Sequence, residues 1–378
     1  MDEDKKYWVG FNQAKGIGPA RLRVLLEYFG DVKSAWYASP GELRQSGLGE
    51  KLAASIFQLR ESIDLDRVWK NIEAQKISVL TWDDPGYPRR LLEIEHPPPV
   101  LYLRGDYSET DEWAVAIVGS RRVTAYGRQV TEEIAAFLAH NGITVISGLA
   151  RGIDALAHQA ALAAGGRTIG ILGSGVDKLY PPENRGLAEQ MMLQGAVMSD
   201  YSVGTPPDGP NFPPRNRIIS GLALAVVVIE AGYKSGALIT AEFGVEQGRE
   251  VFAVPGNITA PQSKGTNKLI QDGAHLLAQP ADILEVLELT QVAQHQSAQR
   301  ILPGNELESR LYAMMELEPV HIDEISNQAH LPPDQVSSAL TMMELKGLVR
   351  QIGGMKYVAV REIQSGYDVN EINADPPV

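Results

Sequence analysis

The strongest constraint on the fold is a regular alternation of apolar strands and amphipathic helices between residues 107 and 289. The strand candidates, such as WAVAIVGS at 113–120 and LALAVVVIEAG at 222–232, are almost uninterrupted apolar runs. Strands that read this way are buried on both faces and belong to parallel sheets covered by helices. Because βαβ crossovers are right-handed, the pattern predicts an α/β fold with a Rossmann-like, doubly wound, mostly parallel sheet.

A helical pattern precedes this core, and we assign residues 1–82 to an N-terminal helical domain. It contains GIGPARLRVLLEYFG at Gly16–Gly30 and GLGEKLAASIFQL at Gly47–Leu59. Each is a Gly-x-Gly turn followed by apolar residues at helical spacing, which resembles a tandem helix-hairpin-helix (SAM-like) arrangement. Such glycines let backbone N–H groups approach a DNA phosphate. The alternative is a plain helical bundle in which the glycines only cap helices.

The remaining segments differ in composition. Prolines at 85, 88, 97, 98 and 99 predict an extended connection that leads into a short strand at Val100–Arg104, and we count it with the core as one domain, 83–289. Residues 290–305 are Gln- and Ser-rich and predict a linker. Three helical stretches and two β-rich runs around Gly353-Gly354 predict a winged-helix domain at 306–361, followed by a disordered tail at 362–378.

The charge of the winged-helix part argues against a strong grip on duplex DNA. Its candidate recognition helix carries Asp334 and Glu344 against only Lys346. Winged helices that bind duplex usually present a basic face. We therefore expect either protein contact or weak DNA contact through Arg350 and Lys356.

Bulk composition excludes several classes of protein. The chain has 378 residues, a net charge of −13 and no cysteine, so disulfides, thiol catalysis and cysteine-bound zinc are excluded. No apolar run reaches the ~18 residues needed to cross a bilayer, and the polar start MDEDKKYWVG does not resemble a signal peptide. We expect a cytoplasmic protein with no membrane span.

Many Lys and Arg residues of the core domain lie in the loops that follow its strands. In an open α/β sheet, ligands bind beyond the carboxyl ends of the strands. The loops there carry Arg121, Arg122, Arg151, Lys178, Arg185, Arg215, Arg217, Lys234, Lys264 and Lys268. The same loops carry Tyr126, Tyr180, Tyr201, Phe212 and Tyr233, whereas Glu132, Glu133, Glu189 and Glu246 fall on helices. Cations mixed with aromatic rings suit single-stranded nucleic acid, which offers phosphates and exposed bases together.

The sequence lacks the common signatures of cofactor and metal sites. No G-x-G-x-x-G follows the first strand of the alternating region, and there is no P-loop, H-E-x-x-H or G-x-S-x-G motif. His158 lies among alanines and predicts an ordinary packed histidine. Glu230, at the end of an apolar strand, is a candidate general base, but a structural role is favoured, either as a cap of the following loop through backbone N–H groups or in a pair with Arg215 or Arg217. We therefore predict no cofactor, no metal and no catalysis.

Six blocks taken together resemble the DNA-processing protein A (DprA/Smf) family. They are AIVGSRRVTAYG, SGLARGIDALAH, LGSGVDKLYPPEN, FPPRNRIISGLA, VIEAGYKSGALITAEFGVEQGREVFAVPGN and SKGTNKLIQDGAHLL, in that order. The resemblance implies a single-stranded DNA-binding protein of natural transformation that protects incoming strands and loads the RecA recombinase onto them. It also implies a homodimer without catalytic activity.

The resemblance also implies which residues contact the DNA. They are Gly119, Ser120, Arg121, Ser147, Gly148, Arg151, Lys178, Asn184, Phe212, Arg215, Asn216, Arg217, Ser235, Gly236, Thr240, Gly265 and Asn267. Within this set, Arg215 and Arg217 are expected to grip phosphates as planar forks, and Phe212 is expected to stack on a base. The segment Asp272–Leu284 is a candidate dimer patch, with the core as its alternative location.

An enzyme is the competing class. Rossmann-like nucleotide phosphoribohydrolases use a P-G-G-x-G-T-x-x-E block to hold phosphate and to supply a catalytic glutamate. This chain has EAGYKSGALITAE at the corresponding strand end, so Glu242 would be the candidate. The missing P-G-G disfavours that interpretation.

Overall fold

The structure is a computed structural model that describes residues 2–289, 307, 310–311, 320–329, 331–345, 349–353 and 355–359, and the structural statements below concern these residues. The chain forms two compact units, one ending at Leu289 and the other made of the residues that follow. Each unit is described by itself.

The first unit is built on a nine-stranded sheet with the strand order β1-β2-β6-β5-β4-β3-β7-β8-β9. Strands β3 to β9 run parallel, whereas β2 is antiparallel to both of its neighbours, β1 and β6. The strands are β1 (Ser78–Thr81), β2 (Val100–Gly105), β3 (Ala114–Val118), β4 (Thr144–Ser147), β5 (Thr168–Ile171), β6 (Gly195–Ser199), β7 (Ala225–Val228), β8 (Glu250–Ala253) and β9 (His275–Leu276).

Helices alternate with the parallel strands, as predicted for a Rossmann-like fold. They are α8 (Ala125–His140), α9 (Ile153–Ala163), α10 (Arg185–Met191), α11 (Phe212–Gly221), α12 (Gly236–Glu246), α13 (Lys264–Gln271) and α14 (Ala281–Val286). From β3 the chain first winds outward through β4, β5 and β6, and then returns to add β7 and β8 on the other side of β3. The loops after β3 and β7 therefore diverge, which creates the crevice where doubly wound sheets bind ligands.

Six helices precede the sheet. They are α1 (Asp2–Gln13), α2 (Pro19–Phe29), α3 (Val32–Tyr37), α4 (Pro40–Gln45), α5 (Glu50–Ser62) and α6 (Leu65–Ala74). Both Gly-x-Gly turns directly precede a helix, α2 and α5, as predicted. The core of these helices also contains Val100 and Tyr102 of β2. The predicted boundary at residue 82 lies just after β1, a strand of the same sheet, and within one compact unit that extends to Leu289.

The proline-rich segment after β1 is more ordered than the extended connection that we expected. A short helix, α7 (Arg89–Leu92), begins directly after Pro88, where a proline ring is compatible with the first helical turn. Tyr87 and Leu91 are buried in the main core, and Tyr87 Oη donates to the Pro98 carbonyl oxygen at 2.6 Å. The strand that follows, β2, is internal to the sheet.

The segment FPPRNR is helical, which corrects its assignment to a loop. Pro213 and Pro214 occupy the first turn of α11, where backbone N–H groups have no helical partner and proline costs nothing. Arg215 and Arg217 consequently project from a helix.

The second unit has the strands and two of the helices of a winged helix. Helices α15 (Ile322–Ala329) and α16 (Pro333–Leu345) accompany a three-stranded antiparallel sheet of order β10-β12-β11. These strands are β10 (Val320–His321), β11 (Val349–Gly353) and β12 (Lys356–Ala359). The predicted linker, most of the first predicted helix, Lys346, Gly354 and the tail lie outside the described residues, as do the side chains of Asp334 and Arg350.

Across both units, none of the helices described is long and apolar enough to cross a membrane.

One side chain of the first helix makes three hydrogen bonds, one to β2 and two to the loop after β6. Asn12 Nδ2 donates to the Asp200 carbonyl oxygen at 3.1 Å, while its Oδ1 accepts from Tyr102 Oη at 3.0 Å and from Ser202 Oγ at 2.7 Å. Tyr102 is fully buried, so its hydroxyl has no water to replace a lost partner.

We expect the Asn12→Ala variant to lower the free energy of unfolding by about 2 kcal/mol, because it leaves buried polar groups without partners. Urea denaturation of the full chain measures this loss. Gln13→Ala is the matched control, since Gln13 is also half-buried but its side chain has no hydrogen bond in the described structure. Equal stability of the two variants would contradict the bridging role of Asn12.

Candidate nucleic-acid interface

An open cleft of about 930 Å³ lies at the point where the loops after β3 and β7 diverge. Residues from the loops after β3, β4, β5, β6 and β7 line it, together with the first turns of α11 and α12. The cleft therefore occupies the carboxyl edge of the parallel strands, where the sequence predicted the ligand.

The β3 loop supplies the cationic wall. Gly119, Ser120, Arg121 and Arg122 all line the cleft, and both arginines are exposed. Ser120 Oγ accepts from the Arg122 N–H and donates to the Arg122 carbonyl oxygen, both at 3.0 Å, which fixes the turn between them. The two arginines thus belong to a loop that is held by its own hydrogen bonds and that lines the cleft.

Aromatic rings form the adjacent part of the cleft. Phe212, the first residue of α11, lies beside Tyr180 with ring centroids 5.9 Å apart. A Cβ atom at residue 173 would come within 2.8 Å of the Phe212 ring, so a glycine is required there for the ring to take its place. The rings offer a flat apolar surface beside the arginines.

The β7 loop and the start of α12 form the opposite wall. Gly232, Lys234, Ser235 and Gly236 line the cleft, and the Ser235 side chain caps α12 by accepting from the Ala237 N–H. Asn216 of α11 donates from Nδ2 to the Gly236 carbonyl oxygen at 3.3 Å, which joins the two helices at the cleft. Thr240 also lines the cleft but is almost fully buried.

A buried cation lies at the base of the cleft. Arg215 is only 4% exposed and donates from Nη1 to the Gly148 carbonyl oxygen at 3.0 Å. Asp154 accepts from the Gly148 N–H at 3.1 Å, so the two side chains bond the two backbone polar groups of the same residue. Burial lowers the pKa of Arg215 to about 10, and burial raises the pKa of the Asp154 carboxyl although Arg215 opposes that shift. Arg215 is therefore not the exposed fork that we predicted.

Apart from the buried Arg215, ion pairing divides the cations of the predicted rim into five paired and four unpaired residues. Carboxylates pair with Arg151 (Glu183), Lys178 (Asp177, 3.6 Å), Arg185 (Glu189, 3.1 Å), Arg217 (Asp200, 2.8 Å) and Lys268 (Asp272, 2.6 Å). Among the described residues, no carboxylate lies within ion-pair distance of Arg121, Arg122, Lys234 or Lys264. A paired cation is locally neutralised, so the attraction for an anion is strongest at these four unpaired cations.

Several predicted contact residues have structural bonds and do not line the cleft. Ser147 Oγ donates to the Ile117 carbonyl oxygen at 2.6 Å, and Asn184 Nδ2 donates to the Leu149 carbonyl oxygen at 2.9 Å. Asn267 bonds both backbone groups of Gly256. The predicted residues outside the lining are Ser147, Gly148, Arg151, Lys178, Asn184, Arg217, Gly265 and Asn267. DNA contact by these residues stays a prediction without geometric support.

The two glutamates considered for catalysis lie away from the centre of the cleft. Glu230 is buried, and its carboxylate accepts from the N–H and the hydroxyl of Thr124, which precedes α8. This is a structural role, as the sequence favoured, but its partner is the loop before α8 and not the following loop, Arg215 or Arg217. Glu242 is exposed on α12 and is not part of the lining.

Sequence reasoning left some lining residues out of the predicted contact set. Arg122, Tyr180 and Lys234 were recognised only as members of the basic and aromatic loops, and Asp154 and Pro207 were not singled out. The signal for Arg122 and Lys234 was their position directly after strands. Within the described residues, no cluster of His, Asp and Glu could hold a metal ion.

The cleft, the parallel sheet and the winged helix define the class of the protein. The family model for DNA recombination-mediator protein A matches residues 78–288, and that for the DprA winged helix domain matches residues 295–355. The chain belongs to the DprA/Smf family, whose role is DNA processing and recombination.

Named relatives cover nearly the whole chain. Protein Smf of Synechocystis is 37% identical over 94% of this chain and 99% of its own length, and protein Smf of Escherichia coli is 35% identical over 90% and 95%. The solved structure of DNA processing protein A from Streptococcus pneumoniae superposes with a TM-score of 0.67 at 35% identity, covering 74% of this chain and 97% of that one.

A second solved structure is relevant to the ligand. It concerns the single-stranded DNA binding mode of DNA processing protein A from Helicobacter pylori, and its TM-score is 0.51 at 30% identity. It covers 56% of this chain and 95% of that chain.

His158 is packed inside the unit, as predicted, and its ring has a defined tautomer. Thr168 Oγ1 donates to the Val145 carbonyl oxygen at 2.7 Å, so it accepts from His158 Nδ1 at 2.6 Å. Burial, with a further contribution from Arg215, lowers the pKa of His158 to about 3. The ring is therefore neutral in the folded protein at ordinary pH.

This shift predicts a pH-dependent contribution to stability. The unfolded chain binds a proton at His158 below pH 6.5 while the folded chain does not, so stability is lost as pH falls from 6.5 towards 3. Relative to His158→Asn, we expect the wild type to lose about 1.4 kcal/mol per pH unit in this window. Urea denaturation from about pH 7.5 to about pH 5 measures the difference. If the free energies of unfolding of the two proteins changed equally with pH, the predicted contribution of His158 would be wrong.

Proposed function

We propose that this protein binds single-stranded DNA in the cleft between the β3 and β7 loops. The observation that carries the proposal is the coincidence of unpaired cations and neighbouring aromatic rings at the switch point of the sheet. Arg121 and Arg122 on one wall and Lys234 on the other offer charge to phosphates, while Phe212 and Tyr180 offer faces to bases. The two kinds of contact together match an unpaired strand.

The shape of the cleft favours a single strand over a duplex. A base can reach the Phe212 ring only if it is unstacked and unpaired, because the ring lies within a concave site. Base stacking tolerates any sequence, since every base has a π-face. The relation to the H. pylori protein, whose single-stranded DNA binding mode has been described, supports the same ligand.

The proposal includes the absence of catalysis. Asp154 is the one carboxylate in the described lining, and its Oδ2 accepts from the Gly148 and Ala150 N–H groups. A general base needs a free lone pair within reach of the substrate proton, and Asp154 is buried beneath the cleft. The phosphoribohydrolase alternative requires Glu242, which is outside the lining. Incubation with nucleoside monophosphates should release no free base.

Family membership supports finer proposals about partners. We propose that the protein acts in the cytoplasm as a homodimer that protects strands taken up in natural transformation and loads RecA onto them. The candidate dimer patch Asp272–Leu284 includes β9, the last strand of the sheet, and Leu276 there is 51% exposed. Light scattering should report a dimer that Leu276→Glu converts to a monomer. A monomeric wild type would exclude this arrangement.

RecA assembly on strands coated with single-strand-binding protein should be faster when this protein is present.

The cleft predicts different effects for two exposed arginines. Arg121→Ala should weaken oligothymidine binding about tenfold, because it removes a charge-assisted contact to phosphate. The slope of log affinity against log salt should fall in magnitude by about 0.7. Fluorescence anisotropy titrations at two salt concentrations measure both quantities.

Arg151→Ala is the matched control for that experiment. Arg151 is equally exposed on a neighbouring loop, and it is paired with Glu183 outside the cleft. We expect its loss to change affinity little. If Arg151→Ala weakened binding as much as Arg121→Ala, with both variants folded, the assignment of the site to unpaired cations would be wrong.

A further inference from the structure

We propose that Tyr233 and Lys264 form a second stacking platform, outside the cleft, for a base of the same strand as it leaves past Lys234. This inference rests on the proposed function and adds a subsite to it. Its ligand is one further nucleotide of single-stranded DNA, held by ring stacking and by attraction between a phosphate and an ammonium group.

The first observation is the exposure of an aromatic ring beside the cleft. Tyr233 is 67% exposed in the β7 loop and is not part of the cleft lining, whereas its neighbours Gly232 and Lys234 both line the cleft. A strand that follows the β7 wall outward must therefore pass this ring.

The second observation is the cation beside the ring. Lys264 Nζ lies 6.0 Å from the centroid of Tyr233, and no carboxylate of the described residues is within ion-pair distance of it. A cation near an aromatic ring is attracted to its face, which biases the ring towards one orientation. Lys264 therefore places an unpaired positive charge near the ring, and Lys234, the next residue along the chain, supplies a second at the edge of the cleft.

The third observation is that the two supporting loops are bonded together. The Ala231 N–H donates to the Gln262 carbonyl oxygen, and the Gly265 N–H donates to the Ala231 carbonyl oxygen, both at 2.7 Å. A Cβ atom at residue 265 would lie 2.7 Å from the Ala231 oxygen, so the loops approach this closely only because that residue is glycine. The backbone under the platform is held in place before any ligand arrives, which lowers the entropic cost of binding.

Other exposed tyrosines of the rim lack this arrangement. Tyr126 is 48% exposed, but its hydroxyl donates to the Pro255 carbonyl oxygen at 3.0 Å, and its ring has no cation–π partner among the residues that the structure describes. Tyr180 packs beside Phe212 within the cleft. Tyr126 is therefore a suitable control for general effects of removing an exposed ring.

The decisive experiment is a length series of oligothymidines, from about 4 to about 16 nucleotides, titrated against the full-length wild type, Tyr233→Ala, Tyr233→Trp and Tyr126→Ala. We expect Tyr233→Ala to bind the shortest oligomers like the wild type and the longest about tenfold more weakly, because only long strands reach the platform. Tyr233→Trp should retain the increase in affinity with oligothymidine length, and Tyr126→Ala should behave like the wild type.

The outcomes separate this inference from the proposed function. Equal affinity of Tyr233→Ala and wild type at every length would overturn the platform while leaving the cleft intact. A uniform loss at every length would also overturn it, since it would show a disturbed cleft. If the wild type bound no oligothymidine at all, the proposed function would fail and the platform with it.

Discussion

The divergence of the chain on either side of β3 is the constraint on which the site depends. Because β4 is added on one side of β3 and β7 on the other, the loops after β3 and β7 diverge, although Glu230 after β7 still bonds Thr124 before α8. The first turn of α11 lines the opening between the two loops, and its prolines permit a helix to start there. Arg215 and Asp154 bond the carbonyl oxygen and the N–H of Gly148, respectively.

Internal ion pairs give the cleft its electrostatic character. The chain carries a net charge of −13, which on average repels a polyanion. Pairing neutralises five of the ten cations on the predicted rim and leaves the unpaired ones on the two walls of the cleft and beside its β7 edge. A strand is thus attracted to one path and repelled elsewhere. Exposed pairs add little to stability, so their main effect here is on where anions bind.

Much of the fold was predictable from the sequence because its signals are local. Long apolar runs identified β3 to β8, and glycine-rich corners identified the ligand edge before any contact was known. The helical start of α11 was missed because Pro-Pro was taken as a sign of a loop, although prolines suit a first turn. The pairing of β1 with β2 was missed because a four-residue strand carries almost no periodic signal.

The contact set was less predictable because it depends on partners distant in the sequence. Whether Arg217 is available is decided by Asp200, and whether Arg151 is available is decided by Glu183. Glu230 reaches Thr124 across 106 residues. No local pattern shows which residues meet in the fold. The resemblance to the family therefore implied DNA contacts for Ser147, Asn184 and Asn267 without showing that their side chains bond the backbone.

Hydrogen exchange of backbone amides, with and without saturating oligothymidine, tests the central claim most directly. The account predicts that slowed exchange on binding is concentrated in the segments 119–124 and 232–237, which form the two walls of the cleft. It predicts little change around Arg185, which has its own carboxylate partner, Glu189, and whose helix α10 does not line the cleft. Protection confined to the winged-helix unit or to the Gly-x-Gly turns before α2 and α5 would contradict it.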